Sequence, residues 1–147
     1  MGSPSDNLTE FGMPYSGSGT IVQPAQAPHQ VLIVEDEQLV ALSLSCMIED
    51  LEHEVCAVAD SGAKAIEAAT RHQPSLALVD LRIKGAMDGI DTARTLLAMG
   101  IPSIILSGDG NPDTLARARD AGAVAFVMKP YSLDELRAAL GKAAAHG

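Results

Sequence analysis

The sequence predicts an α/β fold, a parallel sheet with helices packed on both faces. Two observations lead there. Apolar runs of strand length alternate five times with stretches of helical period, beginning at Val31, and that alternation implies crossover helices covering a parallel sheet. Four of the runs also stop at polar residues. Val31-Leu32-Ile33-Val34 stops at Glu35-Asp36, Leu76-Ala77-Leu78-Val79 at Asp80, Ile104-Ile105-Leu106 at Ser107, and Val124-Ala125-Phe126-Val127-Met128 at Lys129. Parallel strands point one way, so their C-terminal ends share the edge where α/β sheets bind ligands.

The elements follow in order. Strand 1 covers about 31–35 and helix 1 about 37–51, with Val40, Leu44, Met47, Ile48 and Leu51 at helical spacing. Strand 2 covers about 54–59. Helix 2 starts after Asp60 or Ser61 as N-cap and ends before Pro74. Strand 3 covers about 75–79, and a loop from Asp80 to Asp88 leads to helix 3 at about 89–99, closed by Gly100-Ile101-Pro102. Strand 4 covers about 102–107. Helix 4 opens at Asn111-Pro112-Asp113, an N-cap, a proline at the first helical position and an acid in the first turn, and ends at Ala121-Gly122. Strand 5 covers about 124–128. Helix 5 opens on a Ser132–Glu135 capping box, with Leu133, Leu136 and Leu140 as its buried stripe. Strands 1, 3 and 4 read as central, whereas strand 2 begins with the charges of Glu52, His53 and Glu54 and reads as an edge. A flavodoxin-like doubly wound (βα)5 sheet of order 2-1-3-4-5 fits best, with its switch point between strands 1 and 3.

Composition narrows the setting. The 147 residues suffice for one domain, and a 47% hydrophobic content with few aromatics predicts an aliphatic core. Residues 1–29 are rich in Gly, Ser, Pro, Gln and Ala without period, and are expected to form a flexible tail; Phe11, Met13 and Tyr15 could dock a partner. The domain proper is then 30–147. A net charge of −9 argues against direct nucleic-acid binding and against an anionic membrane surface. No signal-peptide layout or membrane-length run is present in the sequence, so a cytoplasmic setting is expected. Cys46 and Cys56 lack zinc-type spacing and read as small buried hydrophobes.

With strands 1 and 3 adjacent, Glu35, Asp36 and Asp80 converge. Three carboxylates repel one another, and a hard divalent cation such as Mg²⁺ relieves the repulsion. Asp80, ending a buried strand before an irregular loop, is the candidate nucleophile for forming an acyl phosphate. Ser107 can donate to a phosphoryl oxygen and Lys129 can pair with another.

These residues resemble the receiver domain of two-component response regulators over about residues 30–145. The likeness rests on Val34-Glu35-Asp36-Glu37, Leu78-Val79-Asp80, Ile105-Leu106-Ser107-Gly108 and Phe126-Val127-Met128-Lys129-Pro130, each ending its own predicted strand. The resemblance implies that Asp80 takes a phosphoryl group from a histidine of a sensor kinase or a His phosphotransfer protein. It implies direct Mg²⁺ binding by Asp36, a water-mediated role for Glu35, and a further ligand in the Arg82 backbone carbonyl. It implies that Ser107 moves toward the phosphoryl group while Phe126 swings inward, remodelling the face of helix 4, strand 5 and helix 5 for a downstream protein partner. It also implies a cis bond before Pro130. The chain would be a stand-alone, chemotaxis-regulator-like switch rather than an enzyme, with at most self-phosphorylation from small donors and self-dephosphorylation. It would act by protein contact or by draining phosphoryl groups from a relay, and phosphorylation-dependent dimerisation is one outcome such a face permits.

The chain departs from the family pattern in places. The family often has Met-Pro three and four residues after the acceptor, where this chain has Ile83 and Lys84, and the loop 82–89 looks about one residue longer. Helix 4 carries only Leu115 as a large apolar residue. Gly108 leaves the pocket open, so a short-lived phosphorylated form is expected. Two other readings stand beside this one. An inert receiver could serve only as a docking module. A haloacid-dehalogenase-like phosphatase also uses a strand-end Asp with Mg²⁺, but needs an acid where Arg82 stands.

Overall fold

The computed structural model describes residues 28–146. Five parallel strands alternate with five helices: β1 (Gln30–Val34), α1 (Gln38–Asp50), β2 (Glu54–Ala59), α2 (Gly62–His72), β3 (Leu76–Asp80), α3 (Gly89–Ala98), β4 (Ser103–Ser107), α4 (Pro112–Asp120), β5 (Ala123–Met128) and α5 (Leu133–His146). The sheet order is β2-β1-β3-β4-β5, the doubly wound order that the sequence predicts. The flexible tail expected over 1–29, with Phe11, Met13 and Tyr15, lies outside the described residues except for its last two positions.

Period-two alternation splits the core in two. Leu32, Val34, Ala77, Val79 and Ile105 face α2, α3 and α4, meeting Ala65, Ala69, Ile90, Ala93, Leu96 and Ala118. Val31, Ile33, Leu76, Leu78, Ile104 and Leu106 face α1 and α5, meeting Ala41, Leu44, Ile48, Leu136, Ala139, Leu140 and Ala143. Each fully buried Val, Leu or Ile side chain is worth about 1.5–3 kcal/mol. This is why the central strands are apolar along their length and why function is confined to their ends.

Local chemistry sets the helix boundaries. The Ser61 hydroxyl accepts from the Lys64 amide at 3.2 Å and starts α2. Asp88 accepts from the Asp91 amide at 2.8 Å and starts α3. Asn111 accepts from the Asp113 amide at 2.8 Å, with Pro112 at the first position of α4. The capping box forms in both directions, Ser132 N to Glu135 Oε1 at 2.8 Å and Glu135 N to Ser132 Oγ at 3.1 Å. One glycine is there for space: a Cβ on Gly89 would lie 2.6 Å from the Asp80 carbonyl oxygen and 2.7 Å from the Leu81 Cα. The start of α3 therefore sits directly against the end of β3.

Two sequence expectations need correction. Cys46 is exposed, not buried, because α1 carries more apolar residues than one face can bury; Leu39 and Leu42, 81% and 62% exposed, share its outer side. Cys56 is half-buried, and burial raises its thiol pKa. In α5 the stripe is Leu136, Ala139, Leu140 and Ala143, while Leu133 in the first turn is only half-buried.

At the N-terminal edge of the sheet the His29 amide donates to His53 Nδ1 at 2.9 Å, and the Gln30 amide donates to Ser75 Oγ at 2.9 Å. Burial lowers the pKa of both histidines; His53 lowers that of His29 further, and Glu52 partly opposes the shift at His53. A base whose folded pKa lies below its ordinary 6.5 leaves the unfolded chain binding more protons between the two values. Stability is then full above about pH 6.5 and declines as pH falls through that range. The urea midpoint should drop between about pH 7.5 and about pH 5.5, and drop less in His53→Gln, as equilibrium denaturation at each pH would show.

Candidate functional site

The register of the sheet brings the polar strand ends together. Val34 pairs with Val79, Asp80 with Leu106, and Ser107 with Met128, so Glu35-Asp36, Asp80, Ser107 and Lys129 occupy one edge. The edge is fixed by backbone bonds from Glu35 N to Ala59 O (2.9 Å), Leu81 N to Leu106 O (3.0 Å) and Lys129 N to Ser107 O (2.8 Å). The Lys129–Pro130 peptide bond is cis.

An open cleft of about 450 Å³ lies there, lined by Asp36, Glu37, Asp80, Arg82, Lys84, Gly108 and Lys129. One carboxylate oxygen from each of Glu35, Asp36 and Asp80 falls within 4.8 Å of the others. Lys129 Nζ stands 3.1 Å from Asp80 Oδ1 and 3.8 Å from Glu35 Oε1. The Arg82 amide approaches Asp80 Oδ1 at 3.4 Å, and the Glu37 amide donates to Glu35 Oε2 at 3.1 Å.

Charge is crowded at this point. Burial raises the Glu35 pKa above its ordinary value; the Glu37 amide and the Lys129 ammonium oppose the rise, and Asp80 and Asp36 add to it. Glu35 Oε1 is buried with no hydrogen-bond partner among the described residues. A desolvated carboxylate oxygen without a donor, within reach of two other carboxylates, is a donor set for a hard cation, and the residues present fit a divalent ion such as Mg²⁺.

Other residues named from the sequence are placed less directly. Ser107 is 1% exposed and is not among the cleft-lining residues. Its hydroxyl accepts from the Asp109 amide at 2.9 Å and donates to the Asp109 carbonyl at 3.3 Å. Phe126 is half-buried on β5, packed against the α2–α3–α4 side of the core. It also borders a groove of about 260 Å³ with Leu115, Ala118, Arg119, Val124 and Lys142. Ile83 is buried in the core, so an apolar residue holds the loop where the family often has methionine, and exposed Lys84 turns to the cleft.

Sequence reasoning gave no site role to Glu37, Lys84 or Tyr131. Glu37 stood in the Val34-Glu35-Asp36-Glu37 run as a third acid, whereas Lys84 stood out only as a departure from the family pattern. Tyr131 gave no signal; burial raises its phenol pKa, and Glu35 and Asp80 raise it further.

Comparisons with known proteins agree with this fold. Residues 31–141 match the family model of the response regulator receiver domain. The transcriptional regulatory protein PdtaR of Mycobacterium tuberculosis is 37% identical over 113 residues, 76% of this chain and 55% of that protein. The sporulation initiation phosphotransferase F of Bacillus subtilis is 29% identical over 115 residues, 77% of this chain and 91% of that protein. Among solved structures, the signal receiver domain of a modulated diguanylate cyclase from Desulfovibrio desulfuricans G20 superposes with a TM-score of 0.75 at 33% identity, covering 82% of this chain and 96% of that one. The chain thus spans about half the length of the first curated relatives it matches. The strand-end carboxylates, the doubly wound order and the match over 31–141 lead to one conclusion: this chain belongs to the receiver domain family of two-component response regulators.

Proposed function

We propose that this receiver accepts a phosphoryl group on Asp80 from a phosphohistidine of a sensor kinase or a His phosphotransfer protein. The observation that carries the reading is the convergence of Glu35, Asp36 and Asp80 on one cleft with Lys129 3.1 Å from the acceptor carboxylate. Asp80 attacks phosphorus, the bond to the donor nitrogen breaks, and the imidazole leaves with its electron pair. Lys129 pairs with Asp80 before transfer and with a phosphoryl oxygen after it, so the site keeps its cation throughout. Ser107 leaves the Asp109 backbone to donate to a second phosphoryl oxygen. Mg²⁺ held by Asp36, Asp80, the Arg82 carbonyl and, through water, Glu35 would supply neutralisation of the charge on the phosphoryl oxygens.

The output surface is the groove between α4, β5 and α5, where Phe126 sits beside Leu115 and Lys142. Inward movement of Phe126 would change its shape for a downstream protein. The inert-module reading loses support from the same convergence, which sets two buried carboxylates and a half-buried one beside a lysine.

Approach of the donor adds a requirement. Asp36 and Glu37 line the cleft and lead straight into α1, whose outer side exposes Leu39 and Leu42. A donor protein whose histidine reaches Asp80 would cover those leucines. The double variant Leu39→Ser/Leu42→Ser should therefore slow transfer from a phosphorylated donor protein by about tenfold, as loss of 1–2 kcal/mol of apolar contact implies. Labelling by acetyl phosphate, which needs no docking, should be unchanged. Parallel time courses with both donors check this.

A further inference from the structure

We propose that Asp109 is a positioning residue that couples the Ser107 hydroxyl to the first turn of α4. The inference rests on the acceptor reading of Asp80 and assigns a coupling element within it. Asp109 lies between Gly108 and Gly110, in a segment with little else to restrain it. Its backbone occupies Ser107 from both sides: the amide donates to Oγ at 2.9 Å and the carbonyl accepts from it at 3.3 Å. A hydroxyl has one proton to give, so Ser107 cannot donate to a phosphoryl oxygen while it donates to Asp109.

The Asp109 side chain reaches the other way. Oδ1 accepts from the Asn111 amide at 2.9 Å, and Oδ2 accepts from Thr114 Oγ1 at 3.0 Å. Asn111 is the N-cap of α4 and Thr114 lies in its first turn. One residue therefore holds the switch hydroxyl with its backbone and α4 with its carboxylate. The Asn111 amide, the Thr114 hydroxyl and, more weakly, the Arg82 guanidinium keep that carboxyl below its ordinary pKa, so the tie is ionised and charge-assisted at neutral pH.

One further contact seats the segment, and another holds α4. A Cβ on Gly110 would lie 2.5 Å from the Met128 sulfur, so the segment packs under the end of β5, and Arg117 of α4 pairs with Asp88 at 3.6 Å. When Ser107 turns toward Asp80, the Asp109 backbone loses its partner and the displacement passes through the carboxylate into α4. The carboxylate thus holds the resting arrangement and also transmits its release.

The test uses the whole chain with Mg²⁺ and beryllofluoride, followed by amide NMR. Asp109→Ala should bind beryllofluoride about threefold to tenfold more tightly, because the resting arrangement loses both hydrogen bonds that the carboxylate accepts. The Thr114 and Leu115 amide shifts on saturation should shrink in the same variant. Thr114→Val removes one of the two bonds to α4 and should give part of the loss of α4 response, and Asp109→Asn, which keeps an acceptor for the Asn111 amide, should restore part of it. Urea midpoints measured alongside separate these changes from general destabilisation, which would weaken binding rather than tighten it. A wild-type response with unaltered affinity and α4 shifts in Asp109→Ala overturns the coupling alone. A wild-type protein silent to beryllofluoride removes the acceptor reading and the coupling with it.

Discussion

Asp80→Asn should take up no phosphoryl group from either a phosphorylated donor protein or acetyl phosphate. Asparagine keeps the shape of the side chain at the end of β3 and can still accept a hydrogen bond from Lys129, so the fold should survive. What disappears is the anionic nucleophile, and removing a covalent nucleophile in other systems costs up to ~10⁶-fold in rate. A loss beyond about 10³-fold is the working expectation here. Intact-mass measurement after incubation with donor and Mg²⁺ would show one added phosphoryl group in the wild type and none in the variant. Equal labelling of both would move the acceptor elsewhere and end the proposal.

The second large effect concerns the acid trio. Because burial and neighbouring carboxylates raise the Glu35 pKa above its ordinary 4.5, its ionised form opposes folding. Its favourable contribution is complete below that ordinary value and is lost as pH rises through the folded one. At neutral pH Glu35→Gln should therefore be more stable than the wild type in chelator. Adding Mg²⁺ should reverse the order of benefit. The wild type gains about 2.7 kcal/mol when the free ion reaches a hundred times its dissociation constant, and the variant gains less. Urea titrations of both proteins with EDTA and with Mg²⁺ give the comparison. If the wild-type midpoint does not move with Mg²⁺, the divalent-ion reading of Glu35, Asp36 and Asp80 is wrong.

The parts of the fold that were legible in the sequence are those set by periodicity and by capping. Apolar runs located all five strands, most sharply β1, β3 and β4, because a buried parallel strand has to be apolar on both faces. Ser61, the Asn111-Pro112-Asp113 start and the Ser132–Glu135 box marked helix starts through chemistry that needs no tertiary context. The candidate site was legible for a topological reason: residues that end adjacent strands must meet. Side chains whose roles depend on loop geometry were not. Nothing in Ser107-Gly108-Asp109-Gly110-Asn111 announces that the serine hydroxyl turns to Asp109, since backbone torsions between two glycines decide it. The outward stripe of Leu39, Leu42 and Cys46 was hidden for another reason. A helix with apolar residues on more than one side does not say which side will be covered.

The glycine that seats α3 on β3 has an engineering consequence. With Gly89 pressed on the Asp80 carbonyl, Gly89 N bonded to Leu81 O at 3.3 Å, and Ile83 sunk in the core, both feet of the 81–88 hoop are anchored. Its crown at Lys84, Gly85 and Ala86 is exposed, with Gly85 at φ 116°, a backbone conformation that a side chain would strain, so Ala86 is the position open to change. Extra residues or a fluorescent label at the crown would thus stand at the mouth of the cleft without bending its floor, making this short arc a natural mount for an optical reporter of site occupancy.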